Sequence, residues 1–193
     1  MERVSNREKL LEEGLKVVHA RGFANASVRD IVAAAGVPQG SFTNHFESKE
    51  AFGLEILDRY QDARRTIAGE TLRNEKLAPL KRLRAWIDLN VARNEDSKFR
   101  NGCLIGNFTA EAGEHSPAMR ARLKAVITET EEAIATCLKA AVKSGDLPKG
   151  FDCAEAAAFV FTGMQGATLL AKAEGSAAPI ERFKKMLFAK VLR

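Results

Sequence analysis

Apolar residues in this chain recur at helical spacing almost from end to end, and the periodic stretches break at Gly, Pro and Asn. The pattern is most informative over residues 27 to 52, SVRDIVAAAGVPQGSFTNHFESKEAF. Ser27 caps a helix whose Val28, Ile31, Val32 and Ala35 share one face, and Gly36 supplies the positive φ that a sharp helix-to-helix turn needs. Pro38 lies at or beside the first position of the next helix, where a missing N–H costs nothing. Val37, Phe42 and Phe46 are spaced to point into a core, which leaves Gln39, Ser41, Thr43, Asn44 and His45 facing outward. Ser48 caps a third helix beginning at Lys49, where an anion would meet a cation and a helix N-terminus together.

After residue 52 the period stays helical and nothing suggests a sheet, so the expected fold is all-α with about nine helices. A long helix runs from Ser48 to about Arg73, and a second from Leu77 to Asp96 around Leu80, Leu83, Ile87 and Val91. A short helix follows over Cys103 to Ala112. Ser116-Pro117 opens a longer one that closes at Lys143-Ser144-Gly145. Asp152 and Glu155 are spaced as a capping pair before a helix over 156–173, and Pro179 starts the last helix, with Ile180, Phe183, Met186, Leu187 and Val191 on one face. The helix over 156–173 is apolar nearly all round, and Gly163, Gly166 and Ala167 permit close approach of another backbone. Together with the last helix it is the expected surface of a homodimer, with an ordinary buried core helix as the alternative. The expected domains are an N-terminal three-helix helix-turn-helix head over 1–50 and a larger helical regulatory and dimerisation body over 51–193.

Short donors and acceptors on an exposed helix after a tight turn are what reaches base edges and phosphates in a major groove. Ser27, Arg29, Gln39, Ser41, Thr43, Asn44, His45 and Lys49 are therefore the expected contacts to double-stranded DNA, with Arg3 and Arg7 on an N-terminal arm able to follow the backbone. Charge alone adds little. The 193 residues carry a net +5, but the first fifty balance seven basic residues against seven acidic ones. The surplus lies elsewhere, including +4 over residues 181 to 193, which reads as a solvated helix face. No apolar run is expected to span a membrane and the charged N-terminus has no secretory pattern, which points to a cytoplasmic protein. Cys103, Cys137 and Cys153 are an odd set without metal-binding spacing, expected as reduced thiols.

Residues Asp30 to Val37, Gly40 to Phe46 and Ser48 to Glu50 carry the DI-x-x-x-AGV, GS-x-x-x-HF and SKE signatures, by which the chain resembles the TetR/AcrR (tetracycline-repressor) family of bacterial regulators. The match extends back through Arg7, Leu10, Leu11, Val18, Gly22 and Phe23. Two positions depart from the family. Val32 replaces a usual small Ala, and Thr43 replaces a Tyr that contacts the DNA backbone. The resemblance implies a dimeric repressor that reads a palindromic operator, and a body with a small-molecule pocket among residues such as Trp86, Phe108, Met119 and Met164.

Cys103 stands at the start of a predicted helix, in the positive end of its dipole, where thiols ionise more easily. The segment from Asn101 to Glu111, with GSF at 40–42 and SKEAFG at 48–53, resembles the electrophile-sensing branch related to the N-ethylmaleimide reductase repressor. That resemblance implies a sensor at Cys103, and Lys172, the first cation near the end of the apolar helix, would assist if the fold brings it close. A non-covalent metabolite or a protein partner is the alternative effector. An enzyme on a helical scaffold is the remote one: His19, His45 and His115 are scattered, no Gly-rich phosphate loop or HExxH occurs, and Glu111, Glu114 and His115 read as a solvated helix end. No catalytic residue, metal or cofactor is expected.

Overall fold

The computed structural model describes residues 4–111 and 116–193. Arg3, Glu114 and His115, singled out above, lie outside them. Nine α-helices and a closing π-helical turn make up the described residues, with no strand among them: α1 (Asn6–Arg21), α2 (Val28–Ala35), α3 (Ser41–His45), α4 (Lys49–Glu70), α5 (Pro79–Asp96), α6 (Leu104–Ala110), α7 (Pro117–Ser144), α8 (Cys153–Glu174), α9 (Ala178–Met186) and the turn Leu187–Val191.

The chain forms two compact units. The first holds residues 1–62 and 104–124, so the unit containing the helix-turn-helix runs past residue 50 and takes in α6 and the start of α7. Its core is built where the apolar period predicts. Leu10, Val18, Ile31, Phe42, Phe46, Phe52 and Ile56 are all buried. Gly14 on α1 is required by close approach, because a Cβ there would stand 2.4 Å from the Phe52 ring. α2 begins with a reciprocal capping box between Ser27 and Asp30 and ends on Gly36 in the left-handed conformation, φ 61°, as the turn demands. Ion pairs brace the exterior: Arg7 with Glu55, Arg59 with Glu8, and Arg122 with Asp58.

The second unit holds residues 63–103 and 125–193 around a larger apolar core that includes Leu83, Trp86, Ile87, Ile134, Leu138, Val160 and Ile180. α8 starts three residues before the expected 156, because Asp152 caps it by accepting from the N–H groups of Ala154 and Glu155. At 22 residues and a mean hydropathy of 1.2 it does reach the length and apolarity of a membrane-crossing helix, against the sequence expectation. Val160, Met164, Ala167 and Ala171 are buried in the unit's own core, which accounts for that composition by packing. The last helix also departs from expectation. It widens into a π-helical turn, with Leu192 N–H bonded to Leu187 C=O at 3.0 Å, and Leu187 and Leu192 are buried; Met186, the last residue of α9, is 55% exposed because it lies well round the helix from Ile180.

Candidate nucleic-acid interface

α3 is five residues long, too short to be stable by itself, and is fixed from below by aromatic packing. The rings of Phe42, Phe46 and Phe52 form a triangle with centroids 5.2, 5.3 and 5.0 Å apart. Over this support Gln39, Thr43, Asn44 and His45 are exposed, and the Thr43 hydroxyl donates to Gly40 C=O at 3.1 Å. Ser41 is a correction. Expected outward, it is buried at 6% exposure because it begins α3 on the inner side, where its Oγ accepts from the Asn6 side chain at 3.3 Å.

Arg29 is exposed on α2. Ser27 is exposed too, but its hydroxyl is engaged in the capping box, donating to Asp30 Oδ2 at 2.6 Å. That hydroxyl, then the Ser27 N–H, holds the Asp30 carboxyl below the usual carboxylate range, and Arg21 stands 2.9 Å away.

Lys49 is half-buried and internally bound. Its ammonium donates to Ala24 C=O at 3.1 Å and lies 4.8 Å from the centroid of the Phe23 ring. Partial burial lowers its pKa, against the raising influence of Glu111. Glu111 is the residue that sequence reasoning missed. Read as a solvated helix end, it instead accepts the Ala24 N–H on Oε2 at 2.9 Å. Arg7 is paired with Glu55 and lies 5.6 Å from the Phe46 ring centroid.

The remaining expected sites separate between the units. Phe108 stacks on Phe23 at 5.0 Å, and the Met119 methyl would lie 3.0 Å from a Cβ at Gly53, so both are packed in the first unit. Trp86 and Met164 are buried in the core of the second. Cys103 is half-buried just before α6, and the Gln165 amide of α8 donates to its sulfur at 3.5 Å. Lys172, the expected partner, is exposed seven residues beyond Gln165, roughly 10 Å further along the helix axis. Cys137 is the opposite case: it is buried, donates to Pro79 C=O at 3.2 Å, and burial pushes its pKa up to about 11.

α8 also presents an uncovered apolar stripe. Phe159, Leu169 and Leu170 are 50%, 66% and 54% exposed, and with Thr162 and Gly166 they recur at helical spacing along one face. Its neighbour α9 is drawn in tightly. A Cβ at Gly163 would stand 2.3 Å from the Phe183 ring.

Comparison with known proteins agrees with this arrangement. Residues 10–56 match the family model for bacterial regulatory proteins of the tetR family, and residues 79–187 match the tetracyclin repressor-like C-terminal domain. The repressor DhaR of Mycobacterium sp. (strain GP1) is 34% identical over 193 residues, covering 100% of this chain and 95% of that protein. Among solved structures, a TetR regulatory protein from Rhodobacter sphaeroides superposes with a TM-score of 0.90 at 30% identity, covering 94% of this chain and 96% of the other. The reduced form of E. coli NemR superposes with a TM-score of 0.84 at 26% identity, covering 94% of each chain. The chain belongs to the tetR family of bacterial regulatory proteins, and it is a DNA-binding transcriptional regulator rather than an enzyme.

Proposed function

We propose that two copies of this chain pair through α8 and α9 into a cytoplasmic repressor. Gln39, Thr43, Asn44 and His45 meet base edges in the major groove, while Arg29 and Lys49 meet phosphates. The observation that carries this reading is the exposed polar set on and before α3, held rigid by the Phe42–Phe46–Phe52 cluster. The stripe of Phe159, Leu169 and Leu170 supports the pairing, since burying each large apolar side chain contributes about 1.5–3 kcal/mol. Two heads in register then span a palindrome with half-sites one DNA turn apart, about 34 Å, or a multiple of it.

The effector of this reading is an electrophile that reacts at Cys103. A maleimide, quinone or unsaturated carbonyl adds to the sulfur: the S–C bond forms, the carbon–carbon π bond breaks, and the thiol proton ends on the neighbouring carbon. The added bulk cannot be held against Gln165 as the free thiol is, and the unmodified fold loses to one that binds DNA less well. The partial exposure of Cys103, beside a buried, protonated Cys137, supports this choice of thiol, as does the description of the similar E. coli protein in a reduced form.

A mobility shift with DNA flanking the gene for this protein tests both parts. Binding weakens steeply with salt, and N-ethylmaleimide releases the wild type but not Cys103→Ser. Equal release of the Ser variant would replace the covalent mechanism with a non-covalent effector. One observation favours that second reading: Gln61 is 2% exposed, yet its Oε1 accepts no hydrogen bond among the described residues, so an effector carrying an N–H or O–H group would satisfy it.

A further inference from the structure

We propose that Glu111 acts as a brake on operator binding: it ties down the backbone at Ala24, whose carbonyl captures the Lys49 ammonium, so that this internal site and a DNA phosphate compete for one cation. The inference rests on Lys49 as a phosphate contact, as assigned above.

Both backbone groups of one residue, Ala24, are engaged. The Ala24 N–H donates to Glu111 Oε2 at 2.9 Å, and the Ala24 C=O accepts from Lys49 Nζ at 3.1 Å. Phe23 offers its ring face to the same ammonium at 4.8 Å. The loop between α1 and α2 is shaped for the carboxylate. Gly22 has φ +85°, which favours glycine, and a Cβ there would lie 2.4 Å from Glu111 Oε1, so the carboxylate would have to shift. Glu111 follows the last residue of α6, 87 positions from Ala24, so this contact is tertiary and not a by-product of loop geometry.

In the free protein the ammonium is therefore held by a neutral carbonyl, a ring face and the field of a nearby carboxylate. A phosphate oxygen offers a charge-assisted hydrogen bond, which is stronger than a bond to a carbonyl. The carbonyl and the ring alone would yield to it readily. Glu111 opposes the exchange in two ways: it restrains the backbone at Ala24 through that residue's N–H, and its charge attracts the cation. Glu111 is thus a positioning residue that acts on DNA through Lys49.

The test is a double-mutant cycle on the full chain, read by fluorescence anisotropy with a duplex selected by the wild type from a random pool. Glu111→Gln keeps an acceptor for the Ala24 N–H but drops the charge, and is expected to tighten binding three- to tenfold at ~0.1 M salt, where a carboxylate acting on phosphates beyond about 10 Å is screened. Lys49→Met weakens binding, and adding Glu111→Gln to it changes the Kd less than twofold. Equal tightening in both backgrounds, or none in the first, overturns the brake. Glu111→Ala, which also removes the acceptor, is the second variant and should tighten at least as much. Acetylation of Lys49 by acetic anhydride, followed by peptide mass, gives a DNA-free measure. Labelling rises at least threefold in Glu111→Gln, and an unchanged rate counts against the proposal. If the wild type selects no duplex, the assignment of Lys49 to DNA fails, while the labelling still decides whether Glu111 holds it.

Discussion

Two surfaces of this chain are left open by its own folding, and they differ in every physical respect. The one on and before α3 is built of short polar side chains, Gln39, Thr43, Asn44 and His45, over a rigid aromatic support. The one on α8 is built of Phe159, Leu169 and Leu170 around the bare backbone of Gly166. A polar surface gains nothing from being dried unless its partner supplies matching donors and acceptors, which a base edge or a phosphate does. An apolar surface gains from being dried by any apolar partner of matching shape. In the proposed reading the contrast separates specificity from assembly: the first face would discriminate among DNA sequences, and the second would supply the association energy that places two such faces on one operator.

The largest effect is expected where assembly is attacked. Leu169→Glu with Leu170→Glu puts four carboxylates into a symmetric pair of faces and removes the burial of four leucines, each worth about 1.5–3 kcal/mol. Dimer dissociation should rise at least a thousandfold by analytical ultracentrifugation, while the helical circular dichroism of the single chain is unchanged. An unaltered dimer would remove α8 from the interface. Gly163→Ala is the next largest, and it acts inside the chain. Its Cβ would be driven against Phe183 at 2.3 Å, so about 3 kcal/mol of unfolding stability is lost in urea. Gly166→Ala is its control. No atom lies within 4 Å of that Cβ, so the substitution spares the single chain and is felt, at roughly tenfold, only in dimerisation.

Much of this was legible in the sequence because it is local. The Ser27 cap, the left-handed Gly36 and the bounds of α7 depend on residues within a few positions of each other, and the structure has them where the chain chemistry puts them. What was not legible is set by distant partners. Ser41 turns inward toward Asn6, 35 positions away, and Cys103 meets Gln165, 62 positions away, where the sequence suggested Lys172. Lys49 carries a SKE signature that says phosphate, yet its partner in the free chain is the carbonyl of Ala24, whose N–H is bound by Glu111. The π-helical turn at Leu187–Val191 escaped for another reason: a 3.6-residue period has no way to represent a change of pitch.

Alkali should act on the unit that carries the apolar face. Burial raises the Cys137 pKa from an ordinary 9.0 to about 11, so the fold favours the neutral thiol. A raised folded value means the stabilising contribution is complete below pH 9 and is lost as pH climbs toward 11, amounting to about 2 kcal/mol. The urea midpoint of the wild type should fall over that window more than that of Cys137→Ala. Acid should act on the head. Asp30 and Glu8 are both held below their ordinary values, Asp30 chiefly by the Ser27 hydroxyl and Glu8 by its hydrogen bond from Arg59. Their contribution is present above the unfolded carboxylate range and lost as pH falls through the folded values, which Asp30→Asn should flatten in part.

The smallest effects divide the polar face itself. Arg29 is exposed on α2 and offers charge without base-edge geometry, so Arg29→Ala should weaken every duplex alike, by about 1 kcal/mol, and lower the slope of log Kobs against log salt by about 0.9. Asn44 offers a carboxamide of the kind that pairs bidentately with adenine. Asn44→Ala should therefore leave the salt slope unchanged and cost about 1–3 kcal/mol only on duplexes carrying the preferred base, so that a matched and a mismatched site become nearly equal. Anisotropy titrations of both variants on both duplexes at three salt concentrations distinguish the two roles. If Asn44→Ala instead behaves as Arg29→Ala does, Asn44 is only resting on the backbone, and the base-reading role must pass to Gln39 or His45.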